Sequence, residues 1–581
     1  MNGRGSGRRG VGRRTLLASG AAGVALSLSG CSNRVGSVVH TSSNQLSVTI
    51  TTVPDDDDRQ VNGIFQALES NLEAVGIDVS VDPRTTHEFE RTVLFDNDFD
   101  LYVGRYPGRR DPDFLYELLH SRFKNEVGWQ NPFGFSSIDL DEQLEAQRRQ
   151  TGDERRETLA DVLERTVVEK PFVPLCLSHE NRVVREDRFD GWDRSHLADG
   201  RAYLALDPLE ADDRLTVATT DARPTQNLNP LAAHYRDRGT VIDLLYDSLG
   251  TWLEGELVPW LAADWERDGS ELLVTIGSDC RFHDGESLDA ADVAFTYEFL
   301  GDLSLGRAET PVPSPRYRRE LSAVRSIEVV DERAVEFVVD AAPDVVRDVL
   351  TVPILPEHVW RDLVEGLDDE TAVTEEWLRD AVLSDDVARV GSGPFAFGER
   401  SERDRLTLER FEDHFSLRSD VELPAPPVEE FRLRVAPNGA SAIDLVDAGR
   451  ADATVSALEA HVVDAAAAAE EASVVTSEAR SVYHVGFNVR RAPFANPNFR
   501  QAVARLLDRT WLVESVFDGH ADPVAVPADD ETAPSAFEWN GADPVAPFAG
   551  RDGELDESAA RDAFRDAGFR YDDDGRLVVN Y

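Results

Sequence analysis

Lysine is almost missing from this chain of 581 residues: of its 60 basic residues only Lys124 and Lys170 are lysine, and the rest are arginine. Methionine occurs once and cysteine three times, at Cys31, Cys176 and Cys280. So few cysteines exclude a disulfide-stapled scaffold, and with no CxxC pair and no His/Cys cluster a metal site has no basis. Cys176 and Cys280 lie in apolar, strand-like runs and read as buried free thiols, with mutual pairing left open. Neither G-x-S-x-G nor H-E-x-x-H occurs, so an exported hydrolase is only a remote alternative and no catalytic residue is assigned. Gly391-Ser392-Gly393 runs into Pro394 and a strand, whereas a phosphate-cradling loop opens a helix. No cofactor is called for.

Positive charge is also scarce: 110 acidic residues leave a formal net charge of −50. In dilute buffer such self-repulsion destabilises a fold, but at roughly 1 M salt the Debye length falls to about 3 Å and exposed like charges barely interact. The composition reads as that of a halophile's protein, and the acidic surface argues against nucleic acid as a partner. An apolar content of 41% can fill normal cores, and a chain this long needs two or three α/β lobes.

The N-terminus reads as an export signal over residues 1–30. Arg8, Arg9, Arg13 and Arg14 form its basic part, and Thr15 to Gly30 is apolar but too short to span a bilayer. Arg13-Arg14-Thr15-Leu16-Leu17 resembles a twin-arginine signal, used by chains that fold before export. Leu28-Ser29-Gly30-Cys31 resembles a lipobox, which implies lipidation of Cys31 and anchoring on the outer face of the cell membrane. Residues 31–45, rich in Ser and Thr, follow as a tether.

From Leu46 onward the pattern is mixed α/β. Leu46, Val48 and Ile50 alternate as a strand, and Pro54 with Asp55 to Asp58 ends it. Val61, Ile64, Phe65, Leu68, Leu72 and Val75 then share one helical face. A fresh strand starts near Leu215, after a polar connection over Asp207–Asp213, and Val241, Leu244, Leu245 and Leu249 are read as the stripe of the next helix. Asp268-Gly269 marks a hairpin, and Asp289 caps a helix bearing Val293, Thr296, Tyr297 and Leu300.

Leu261-Ala262-Ala263-Asp264-Trp265, Asp268-Gly269, Phe282-His283-Asp284-Gly285 and Asp292-Val293-Ala294-Phe295 follow one another in the order of a known signature. Together with Gly391 to Phe395, Phe487-Asn488-Val489, Pro493-Phe494 and Arg500-Gln501-Ala502, this run resembles the family 5 extracellular solute-binding proteins, here of a haloarchaeal type. The family comprises peptide, dipeptide and nickel receptors of ABC importers. The order departs from the family: residues 46 to about 205 resemble its C-terminal part, and 214–581 its N-terminal and middle parts. The resemblance therefore implies a two-lobed periplasmic-binding-protein-like α/β fold of class II with an extra subdomain, circularly permuted. Residues 46–170 with 482–581 would form one lobe, and 171–481 the other, with the subdomain at about 250–390.

The implied function is a non-enzymatic, lipid-anchored and monomeric receptor that holds a small solute, a peptide first, between its lobes and passes it to ABC permease subunits. A same-fold receptor for a nickel chelate, a sugar or a chemosensory ligand is the alternative. Arg105 falls where the family's ammonium-binding aspartate would stand, which suggests a grip on an anionic ligand group, or else a surface cluster of Arg105, Arg109 and Arg110 paired with aspartates. Tyr106 and the Trp129, Asn131 and Phe133 loop near the cleft mouth, with Asn227, Tyr246, Tyr483 and Asn488, complete the expected contacts; core packing is the competing role for the aromatics. His283 with Asp284 belongs to a structural turn rather than to a catalytic pair.

Overall fold

A computed structural model describes residues 45–578 apart from 109–110, 210–212, 233–238, 367–381, 386–388 and 529–532. The export signal, Cys31, Arg109, Arg110 and Val579 lie outside the described residues.

The first three strands, β1 (Ser47–Thr52), β2 (Asp78–Pro83) and β3 (Leu101–Tyr106), are parallel, with helix α1 (Arg59–Ala74) crossing between β1 and β2. Two long strands follow from distant parts of the chain, β4 (Phe172–Val184) and the later Ser473–Phe487. Between them come β5 (Arg214–Thr219), the antiparallel quartet β6 (Ala262–Asp268), β7 (Glu271–Ile276), β8 (Val324–Asp331) and β9 (Ala334–Val339), then β10 (Phe395–Ser401), β11 (Arg405–Arg410), β12 (Glu430–Val435) and β13 (Ala453–Thr454). With Ser473–Phe487 as β14 and Ala521–Pro523 as β15, one eleven-stranded sheet runs β10-β11-β12-β5-β13-β4-β14-β3-β1-β2, with β15 on β4.

That sheet carries two separate cores. Residues 46–177 and 482–577 build one around Val48, Ile50, Leu68, Leu101 and Phe487, and residues 184–453 build the main core of the other around Leu215, Val274, Phe299 and Trp360. β4 and β14 pass from one core to the other as an antiparallel pair, with a register shift between Ser477 and Ser481. They are the two covalent crossings of the hinge. Phe172 to Leu177 therefore belong to the first lobe, against a sequence-derived boundary at 170/171, because β4 does not stop at the lobe edge but runs through it. The quartet β6–β9 shares the second lobe's core instead of having its own.

Early and late segments meet in the first lobe. Leu46 N–H donates to the Leu577 carbonyl (2.7 Å) and Leu577 N–H to the Gly76 carbonyl (2.8 Å). Cys176 and Cys280 are free and buried in different cores, so they do not pair.

Local readings mostly hold. Asp58 caps α1 by accepting from Val61 N–H at 3.0 Å, and Asp289 caps the helix Ala290–Gly301 with Asp292 closing a capping box. The hairpin at Asp268-Gly269 joins β6 to β7. The helix expected through Leu249 covers only Thr240–Leu245. Its last turn is stopped by tertiary contact: Gly393 N–H caps the Leu245 carbonyl (2.9 Å), a side chain at Gly391 would strike that same oxygen, and Tyr246 turns extended. His283 staples this junction, with Nδ1 accepting from Gly391 N–H (3.2 Å) and Nε2–H donating to the Gly393 carbonyl (3.0 Å). Burial depresses its pKa to about 4, so the ring stays neutral, and Asp284 bonds His358 instead (2.7 Å).

Candidate ligand-binding cleft

In an α/β sheet the loops beyond the C-terminal ends of parallel strands form the natural crevice, since side chains there are free of ladder packing and helices begin there. Both lobes turn that edge toward the same space. Val53 after β1, Thr85 and Thr86 after β2, and Gly104 and Arg105 of β3 face Thr219 and Thr220 at the end of β5, Asn438 after β12 and Val455 after β13. They enclose a cavity of about 590 Å³. The first turns of α1, α2 (Thr86–Glu90) and α3 (Thr240–Leu245) reach it, as do Asn438 and Glu459, the N-cap residues of α4 (Gly439–Asp447) and α5 (Ala460–Ala467).

Charges of both signs line the walls. Asp58 Oδ2 accepts from the Tyr483 hydroxyl at 3.3 Å, and the Arg105 guanidinium acts on it as an opposing charge. Burial pushes the Asp58 carboxyl above the usual aspartate range, while the Arg105 guanidinium, the Val61 N–H and Tyr483 pull it back. Burial likewise raises Glu459, opposed by His461 at 3.3 Å. From the second lobe, Arg223 forks Asp221 at 2.9–3.1 Å and reaches across to Glu90 of the first lobe at 3.0 Å. On the floor, Arg182 of β4 is 2% exposed, and its Nη2 bonds Glu180 (2.9 Å) and its Nε the Val455 carbonyl (2.8 Å). Its Nη1 has no acceptor among the described residues.

Of the residues expected from sequence, the structure places Arg105, Trp129, Asn227 and Tyr483 on this cavity. The Asn227 amide is spent within its own lobe, donating to the Leu383 carbonyl (2.9 Å) and accepting from Asn229 N–H (2.7 Å). The other five lie elsewhere. Tyr106 packs between Phe114 and Trp129, with ring centroids at 5.1 and 4.9 Å. Asn131 is fully buried and ties its own loop through the carbonyls of Leu119, His120 and Phe135. Phe133 stacks on Phe172 at 5.2 Å within the core. Tyr246 is buried under the Gly391 junction, and Asn488 holds the Asn97 and Phe99 carbonyls. In each case core packing or loop closure has claimed a side chain that motif position alone assigned to the cleft. Asp58, Glu90, Arg182 and Arg223 went unnoticed in the sequence. Asp58 had a signal, since it ends a β-strand and opens a helix, but the pair Glu90–Arg223 joins residues 133 apart in sequence and had none.

Beside the cavity the lobes touch along a second, closed front. Arg319 of the second lobe is 2% exposed and meets Asp113 (3.5 Å) and Glu117 (3.9 Å) of the first lobe and Glu320 and Asp348 of its own (2.8 Å each). Arg148 bridges Asp113 (3.1 Å) and Ser322 Oγ (2.8 Å), and Arg318 forks Glu126 at 2.6 and 3.0 Å.

The model of the bacterial extracellular solute-binding proteins, family 5 Middle, matches residues 256–581, more than half of the chain. The chain is a family 5 solute-binding protein. Among relatives of this family 5 protein, the oligopeptide-binding protein AppA of Bacillus subtilis is 23% identical over 273 residues, 46% of this chain and 43% of AppA. The glutathione-binding protein GsiB of Pectobacterium atrosepticum is 21% identical over 380 residues, covering 64% of this chain and 61% of GsiB. The chain thus spans about half the length of the curated relatives it matches. The solved AppA structure, in complex with a nonapeptide, aligns at TM-score 0.45 and 20% identity over 63% of this chain and 67% of AppA. Among the described residues of the family 5 protein, no helix is long and apolar enough to cross a membrane, and no group of three or more His, Cys, Asp or Glu is placed to hold a metal ion.

Proposed function

We propose that this family 5 protein is the solute receptor of an ABC importer, that its ligand is a short peptide, and that the lobes close on it about the β4–β14 hinge. The observation that carries the reading is the cavity of about 590 Å³ enclosed between two cores joined by only two strands. A space of that size suits a small ligand held by a few polar groups. The walls suit a zwitterion. Asp58 and Glu459 are carboxyls that burial makes costly to ionise alone, so a ligand ammonium would stabilise them, and Arg105 with Arg182 offers guanidinium edges for carboxylate or carbonyl oxygens. Closure would be held by Arg223–Glu90 across the cavity.

The same proposal includes a circular permutation. It is supported by the hydrogen bonds from Leu46 and Leu577 that place the two ends of the described chain side by side in one lobe. Permutation is tolerated where old ends lie close together. The old ends would be joined through Leu197–Asp213, whose first half, including Tyr203 and Leu204, is buried in the second lobe. Export through the twin-arginine signal and lipidation at Cys31 would tether this receptor to the outer face of the membrane.

Native mass spectrometry of the protein purified in volatile salt tests the reading. A co-purified mass matching a short peptide, displaced by a peptide library, is the expected outcome. A bound nickel chelate or sugar would replace the ligand class, and cleavage of the library would move the protein to the hydrolases.

A further inference from the structure

β5 begins at Arg214 and ends at Thr219 on the cleft. At its opposite end, about 16 Å back along the strand, lies a second concavity. It measures about 220 Å³ and five arginines line it, Arg188, Arg214, Arg432, Arg434 and Arg450, with no carboxylate in its wall among the described residues. The sheet pattern puts them together. β12 pairs in parallel with β5 so that Glu430 faces Arg214 and Arg432 faces Thr216. Alternate residues of a strand project to one side, so Arg432 and Arg434 share a face while Phe431 and Leu433 enter the core from the other. Arg188 arrives from the segment after β4, and Arg450 follows Gly449, which turns the chain with φ +66.

Asp452 takes Arg188, and a single carboxylate, Glu430, serves both Arg214 (2.5 Å) and Arg432 (2.8 Å). Arg434 and Arg450 make no ion pair and no side-chain hydrogen bond among the described residues. The Nε–H of Arg432 is shut off from solvent and has no acceptor there. Five guanidiniums crowd one concavity, two of them, Arg434 and Arg450, without a carboxylate partner among the described residues, in a chain whose overall charge is −50. An anion with several oxygens offers those two a partner, and paired N–H groups of guanidinium match the edges of a tetrahedral oxyanion.

We propose that this arginine pit is a second binding site, for a phosphate group, distinct from the solute cleft. The phosphate can be free in solution or carried by the headgroup of an anionic phospholipid. The test uses the exported chain in molar potassium chloride, titrated with inorganic phosphate at constant ionic strength by calorimetry and thermal shift. In parallel, flotation is measured with vesicles of phosphatidylglycerol and, as control, phosphatidylcholine. Phosphate binding that weakens by about tenfold or more in Arg434→Ala/Arg450→Ala, and is unchanged in Arg105→Ala, is the expected result. If free phosphate does not bind but phosphatidylglycerol vesicles do, with the same dependence on the two arginines, the site stands with the headgroup as its ligand. Equal binding by the double variant overturns it, as does binding to neither form of phosphate. Should the double variant not fold, Arg450→Ala alone, at an exposed position, gives the same readout.

Discussion

Along the closed front between the lobes, Arg319 is 2% exposed and has four carboxylates within 4 Å; in the cleft, Arg105, Arg182 and Arg223 line a cavity of about 590 Å³ with carboxylates as their neighbours. Both regions use arginine against acid across the same lobe boundary. On the closed front the charges of the two lobes pair directly with one another and leave no space between them, so the contact can only hold. In the cleft the ions meet in part, with an Arg182 Nη1 left without acceptor and the Asp58 carboxyl raised by burial, so a ligand has something to complete. The difference between a latch and a binding site here is the open space beside the charges rather than residue type.

Removing salt probes the exterior against both regions, and it carries the largest expected effect. Dialysis from molar to millimolar salt is expected to lower the melting temperature by more than about 10 °C, because 110 acidic residues lose their screening. An unchanged melting temperature would remove the halophilic reading. Next, Arg319→Ala leaves Asp113, Glu117 and Glu320 without their common partner and should cost about 3–5 kcal/mol in chemical denaturation. That loss should hardly vary with salt, since buried ions are poorly screened. A loss below about 1 kcal/mol would mean the front is not sealed.

Arg105→Ala is expected to weaken binding of the co-purified solute by about 10–100-fold with little change in melting temperature, the reverse of the Arg319 pattern. Undiminished affinity in calorimetry would return Arg105 to a plain neighbour of Asp58. The smallest effect belongs to Asp58→Asn, which keeps the α1 cap but removes the charge. It should cost about 5–10-fold in affinity for an ammonium-bearing ligand. The folded chain holds the Asp58 proton more tightly than the unfolded chain. Ionisation of Asp58 above its raised pKa therefore costs stability when the cleft is empty, and ligand-free protein regains that stability as pH falls through the window just above 3.8. Affinity moves the opposite way, falling as Asp58 is protonated. The Asn variant should show neither slope, and a slope that survives in it would assign the titration to another group.

The family motifs between Leu261 and Phe295 were legible because each is local. A D-G hairpin, an N-cap and an amphipathic face are decided by neighbours a few residues away, and Asp289, Asp268 and the α1 stripe sit where their patterns put them. The Leu249 end of α3 was not, since a glycine junction 145 residues downstream stops that helix. Among the candidate contacts, Arg105 came from the family's register and Tyr483 from its place near the lobe boundary, and both line the cavity, whereas Phe133 and Asn131 followed a motif into a loop that turns inward.

Composition and local pattern by themselves determined a strongly acidic, mixed α/β chain with family motifs, because charge count, periodicity and caps need no knowledge of distant partners. Only the tertiary structure decided which arginines seal a surface, which face a cavity and which crowd into a pit. An arginine's role depends on how many carboxylates stand within reach, and those carboxylates come from segments more than two hundred positions away, as with Arg319 and Asp113 or Arg214 and Glu430.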